Sequence, residues 1–169
     1  FRPSKGLPKA SWEALKKWHN EFRATMFRFD QKMKRLEDKV NNLTKGSDRL
    51  TNAVFQQINN VLNGTQAITT LDQSIQDEVM QIRKELDAMS RLLIESGAIQ
   101  SPEMAFTIFR GAGIEMTPAN KDWMKMVVSI LRKAPNERTA DENLIVGKFF
   151  ETYGDGIGNY LYRSYRINE

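Results

Sequence analysis

His19 is the single imidazole in 169 residues and cysteine is absent, so the side chains that most often serve as nucleophile or general base near neutral pH are almost missing. His19 also falls where a helical seam would bury it. Asp and Glu number 21, yet no pair has a spacing that singles out a glycosidase or metal site from an exposed helix face. The expectation is a non-enzymatic chain with no cofactor and no metal site.

Three other stretches have residue types that could bind something. Gly154-Asp-Gly-Ile-Gly158 offers amides to an anion at a helix start, but lacks a preceding strand and a phosphate-loop lysine, and reads more simply as a helix stop and restart. Tyr160, Tyr162, Arg163 and Arg166 interleave aromatic and cationic groups as a stacking platform for single strands would. Ile157, Leu161 and Tyr165 share one helical face there, which favours burial against a bundle. The best candidate is the basic, aromatic start, where Trp12, Trp18 and Phe27 stand among Lys16, Lys17, Arg23 and Arg28. Tryptophan with arginine is the composition of partner-binding anchors and of membrane-surface helices.

Charge is unevenly spread along the chain. Residues 1–50 hold thirteen Lys/Arg against six Asp/Glu, residues 51–97 three against six, and the remainder nine against nine. A basic first third can meet phosphates, an acidic protein or anionic lipid. No run of apolar residues is long enough to span a bilayer, and the start lacks the basic-then-apolar layout of a secretory signal. A chain without transmembrane insertion, in an intracellular or virion setting, is expected.

The elements that must position these residues are helical. From Trp12, every seventh residue and the one three places after it give eighteen positions to Leu71, fourteen of them apolar. Such a repeat predicts a coiled coil. Its seam runs through Leu15, Phe22, Met26, Phe29, Met33, Leu36, Val40, Leu43, Leu50, Val54, Val61, Ile68 and Leu71. After a four-residue slip near 71–75 it resumes with Ile75, Val79, Ile82, Leu86, Met89 and Leu93. Ser47, Gln57 and Gly64 would be polar or small seam layers. The difficult stretch is Asn59-Asn-Val-Leu-Asn-Gly-Thr-Gln66, because Asn-Gly marks a turn while the seam phase passes through it unbroken. Continuity favours a rod of about 126 Å made by a parallel dimer or trimer; the alternative is a hairpin with unequal arms.

Past Gly97, a capping residue, three helix starts follow at Ser101-Pro102, Thr117-Pro118 and the capping box Thr139-x-x-Glu142. The predicted fold is therefore all-α: an extension over 1–11, a coiled-coil helix over 12–96 and a C-terminal module over 98–169 of about four short helices, near 102–110, 118–134, 140–153 and 157–167. The expected function is a homo-oligomeric scaffold, adaptor or structural assembly protein, with a viral or phage part among the types that fit, whose C-terminal module binds another protein. A nucleic-acid-binding oligomer and a membrane-surface helix are the alternatives.

Overall fold

The computed structural model describes residues 9–95, 102–115 and 122–153. They form α1 (Lys9–Thr44), α2 (Asp48–Leu62), α3 (Gln73–Glu95), α4 (Pro102–Gly111), α5 (Trp123–Arg132) and α6 (Ala140–Tyr153), with 3-10 turns at Ile68–Thr70 and Pro135–Glu137. The described chain is all-helical, as its spacing predicts. The helix expected to run unbroken from 12 to 96 is three helices, and α1 and α3 lie antiparallel, with Trp18 beside Leu92, Lys32 beside Glu85 and Lys39 beside Glu78. The hairpin alternative describes this chain.

Two turns account for the breaks. Lys45 and Gly46 both take left-handed backbone (φ 52° and 75°), and the Gly46 amide donates back to the Asn41 carbonyl at 3.1 Å, closing α1. Ser47 then accepts from the Leu50 amide at 3.4 Å and starts α2, so this residue, expected as a polar seam layer, is a helix cap. The second break lies inside Asn59–Gln66. Gly64 has φ 82°; its amide donates to Val61 O at 3.2 Å and the Thr65 amide to Asn60 O at 2.9 Å. That pair of bonds is the Schellman closure, which favours glycine because a Cβ is strained at positive φ. Asn63 Oδ1 accepts from the amide and hydroxyl of Thr65, and the Asn60 amide side chain reaches Gln66. The polar residues that weaken a helix here build the turn that replaces it.

Burial follows the 3.6-residue period of a straight helix, not the 3.5-residue seam. In α1 the inward line is Trp18, Phe22, Thr25, Phe29, Met33, Leu36 and Val40, with eleven residues from Trp18 to Phe29 and eleven more to Val40. Extrapolating heptads lands on Leu43, which is exposed, while Thr44 beside it is buried. In α2 the buried residues are Phe55, Ile58 and Leu62, one place beyond the expected Val54 and Val61. Of the predicted seam, Phe29, Met33, Leu36, Val40, Leu71, Ile75, Val79, Ile82, Leu86 and Met89 are buried in one intrachain cluster. Phe22, Met26, Val54, Val61 and Ile68 pack partly against it. Leu43 and Leu50 lie outside, and the side chains of Leu15 and Leu93 fall outside the described residues. The stripe expected to pack on a second copy is covered by the chain itself. The four-residue slip near 71–75 is the start of α3, where Asp72 accepts from the amide and hydroxyl of Ser74.

The C-terminal helices pack around a second cluster of Ile108, Phe109, Trp123, Val127, Ile130, Leu131, Ile145, Val146 and Phe149. Phe150 leaves it and enters the hairpin core. The predicted capping box forms: Glu142 N–H donates to Thr139 Oγ1 at 3.1 Å and Thr139 N–H to Glu142 Oε1 at 3.0 Å. The helix expected near 102–110 is α4, which begins at Pro102; Ser101, the start at 117–118, the Gly97 cap and the helix at 157–167 lie outside the described residues. Docking of α6 needs two glycines. A Cβ on Gly64 would stand 2.4 Å from Asn143 O, and one on Gly147 1.9 Å from Asn63 O, so turn and helix meet backbone to backbone.

Gly64→Ala and Gly147→Ala should each destabilise the protein by about 2 kcal/mol or more, since backbone atoms must separate and Gly64 adds a strained φ. Gly46→Ala, with open space around its Cβ, should lose only the left-handed conformational term of about 1 kcal/mol. Urea denaturation of the three variants checks the order.

The Lys133 amine, then the Thr139 amide, hold the Glu142 carboxyl below its ordinary 4.5. The folded chain therefore takes up this proton less readily than the unfolded one, and the contribution is full above pH 4.5 and lost as pH falls through the lower folded value. The stability difference between the parent and Glu142→Gln should shrink over that window, as urea midpoints measured across it will report.

Candidate functional site

The outer face of α1 is the first candidate. At roughly 100° per residue, Lys16, Arg23, Phe27 and Lys34 fall on one line, opposite Phe29 and Leu36. Phe27 is 64% exposed, and Lys16, Lys17, Arg23 and Arg28 are exposed. Lys16, Lys17, Arg23 and Arg35 make no ion pair among the described residues. Lys34 reaches Asp30 only at 3.6 Å and Arg28 reaches Glu85 at 3.4 Å.

Trp18 does not share that face. Its Nε1 donates to the Leu92 carbonyl at 2.5 Å and its ring stacks on Phe22 with centroids 5.6 Å apart, so it closes the open end of the α1–α3 pair. Its place on the inward line was readable from the spacing to Phe29. Trp12 lies in α1, but its side chain is outside the described residues, as are Tyr160, Tyr162, Arg163, Arg166 and the 154–158 glycine stretch. His19 is half-buried.

Much of the basic excess in α1 is answered within the fold. Lys39 pairs with Glu78 at 2.5 Å, and Lys32 with Glu85 at 2.6 Å. The contrast between a basic first third and an acidic second third is thus partly the charge complementarity of two antiparallel helices. What remains without an ion pair among the described residues is Lys16, Lys17, Arg23 and Arg35, of which Lys16 and Arg23 lie on the line with Phe27.

A second candidate was not read from the sequence. Arg83 and Asp87, one turn apart on α3, meet Arg138 from the segment before α6. Arg83 Nε donates to Asp87 Oδ1 at 2.8 Å and Arg138 Nη2 to Asp87 Oδ2 at 2.6 Å. The three side chains are at most 8% exposed. Each guanidinium also closes a helix C-terminus: Arg83 donates to Leu62 O at the end of α2, and Arg138 to the carbonyls of Ile130, Leu131 and Lys133 at the end of α5. Phe150 covers one face of Arg83, its ring centroid 5.8 Å from the guanidinium carbon. Burial pulls the Arg83 pKa down, Asp87 opposes it, and the like charge of Arg138 adds to the lowering. Arg83 Nη2 and Arg138 Nη1 are buried without a hydrogen-bond acceptor.

Beside this cluster lies a cavity of about 200 Å³, walled by the 61–68 segment, by α3 through Val79, Met80 and Arg83, and by Pro135, Ala140 and Asn143. A shallower groove of about 360 Å³ between α1, α3 and α5 mixes Glu21 and Glu95 with Arg28, Arg91 and Arg132. Among the described residues no three His, Asp or Glu side chains are grouped to hold a metal ion, and no helix is long and apolar enough to cross a membrane. No protein-family model, curated protein or solved structure matches this chain.

Asp87→Asn should lower stability by about 3–5 kcal/mol, because it leaves two buried guanidiniums without a counter-charge. Lys34→Ala, which breaks only an exposed pair, should change it by less than about 0.5 kcal/mol. Denaturant titration distinguishes the two.

Proposed function

We propose that this chain is a non-enzymatic interaction protein, in which the outer face of α1 docks an acidic, amphipathic segment of another protein. The observation that carries the reading is Phe27, a large aromatic side chain standing in water at the centre of a cationic line. A single exposed aromatic is ordinary on a protein surface. One that shares its face with exposed cations, Lys16 and Arg23 among them without an ion pair in the described residues, matches an interface anchor with a polar rim, where aromatic and arginine side chains supply most of the binding energy. An acidic protein segment fits this face better than a nucleic acid does, because exposed Glu13, Glu21 and Asp38 interrupt the positive charge on α1 and would repel a continuous phosphate backbone. Packing of α1 on α3 gives the face a rigid backing, which lowers the entropy lost on binding.

A second reading, the homo-oligomeric scaffold, rests on Leu43 and Leu50. These two predicted seam residues are 39% and 46% exposed on either side of the α1–α2 turn, and they are the apolar groups a second copy could cover. In this reading the oligomer forms at that corner, without the long parallel seam.

Binding of a labelled acidic amphipathic helical peptide, followed by fluorescence anisotropy, tests the leading reading. Phe27→Ser should weaken binding about tenfold or more, in line with the loss of an interface anchor. Preference for an oligonucleotide, with affinity falling steeply in salt and indifferent to Phe27, would replace it with nucleic-acid binding. Light scattering tests the second reading: a mass above 19.5 kDa that returns to the monomer value in Leu43→Ser/Leu50→Ser supports self-association, and a monomer at all concentrations excludes it.

A further inference from the structure

Two guanidiniums share one carboxylate beside the cavity, which leaves a buried positive charge that nothing in the described chain neutralises. Glu85, the other buried carboxylate of α3, is taken by Lys32 and Arg28 on the α1 side. The Phe150 ring offsets part of the Arg83 charge through its π face. Arg83 Nη2 lacks an acceptor and is closed off from water, so what the residue offers to the cavity is its charge and not a free donor at that nitrogen. Arg83 is itself part of the cavity wall, and that cavity reaches the surface at the exposed residues Thr65, Ala67 and Ala140.

We propose that this cavity is a binding site for a small carboxylate with an apolar body, its anionic end drawn to Arg83 and its body seated between Val61, Val79, Met80 and Pro135. The proposal concerns residues that take no part in the docking reading of α1, so either can fail alone.

Size, charge and shape each narrow the ligand. The volume of about 200 Å³ is below the roughly 300–1,000 Å³ that holds a drug-sized molecule. An apolar cavity of about 150 Å³ is known to accept benzene, so a six-membered ring or short alkyl chain with one carboxylate fits. One surplus positive charge matches a monoanion. No lysine and no second arginine lines the cavity, so a dianionic phosphate would bring a charge the wall does not answer. Arg83 Nε and Nη1 are already held by Asp87 and the Leu62 carbonyl, so the anion is drawn by the surplus charge of the guanidinium at the cavity wall.

The test is isothermal titration of the full chain with sodium benzoate and sodium hexanoate, set against benzamide, hexanol and inorganic phosphate at equal ionic strength, with thermal melting in parallel. At least one carboxylate is expected to bind and to raise the melting temperature, with its neutral analogue and phosphate at least tenfold weaker. Ala140→Leu, which fills the cavity mouth without touching Arg83, Asp87 or Arg138, should abolish binding while helix content by circular dichroism is kept. Arg83→Met removes the charge and should weaken the carboxylate by tenfold or more while leaving its neutral analogue unchanged. The proposal is overturned if neither carboxylate binds, if a neutral analogue or phosphate binds as tightly, or if Ala140→Leu leaves the affinity unchanged.

Discussion

The carbonyl of Leu62, held by Arg83, is the contact on which the arrangement depends. A helix that ends inside a protein leaves carbonyls without donors, and α2 ends against the core, where water is excluded. Arg83 meets that need from α3, so the residue that closes α2 belongs to the helix that follows the turn. The same guanidinium needs a counter-charge, which Asp87 supplies one turn along α3. Asp87 binds Arg138, and Arg138 closes the end of α5. One chain of charge-assisted hydrogen bonds thus joins the α2 end, the middle of α3 and the start of α6. A buried ionic cluster need not add net stability, because desolvation opposes the attraction. Its effect here is specification: few other placements of α5 and α6 on the hairpin would satisfy all three side chains.

Backbone contact sets the same geometry from the other side. Gly64 and Gly147 let the Asn63–Gly64 turn rest directly on α6. Phe150, one turn beyond Gly147, then lies over Arg83 and enters the hairpin core. A larger residue at either glycine would lift α6 away and pull both the ring and the Arg138 attachment out of reach. Close approach and ionic network are therefore two halves of one constraint.

Much of this fold could be read from residue spacing, and the part that could not has a physical reason. Phe29, Met33, Leu36 and Val40, with Ile75, Val79, Ile82, Leu86 and Met89, were assigned to a buried stripe and are buried. A stripe reports that something covers it, not whether the cover is another copy or a later part of the chain. The heptad and eleven-residue patterns share Phe22, Phe29, Met33, Leu36 and Val40, and part at Trp18, at Thr25 beside Met26, and at Leu43 beside Thr44. Val54, Val61 and Ile68 kept the seam phase through Asn59–Gln66 by coincidence of count, while Phe55, Ile58 and Leu62 did the packing. Gly46-Ser47 is a stop followed by a cap, and a heptad count that places Ser47 in the seam hides it. The capping box at Thr139 was legible because all of its partners lie within four residues. The Arg83–Asp87–Arg138 cluster was not, since Asp87 and Arg138 stand 51 residues apart and nothing local distinguishes them from surface charges.

The charge pattern shows how the same sequence fact can change meaning. Thirteen cations in the first fifty residues suggested recruitment of an anionic partner by bulk charge. Folding α3 back onto α1 places Glu78 and Glu85 against Lys39, Lys32 and Arg28, so part of that excess is spent on the hairpin. The remainder is narrower and more specific, a line of cations around one exposed phenylalanine. At physiological salt a diffuse positive field is screened within about 8 Å, whereas an aromatic anchor with adjacent cations acts by contact. A partner selected by that face must therefore present shape and apolar surface as well as negative charge, which is the distinction between a protein segment and a phosphate backbone.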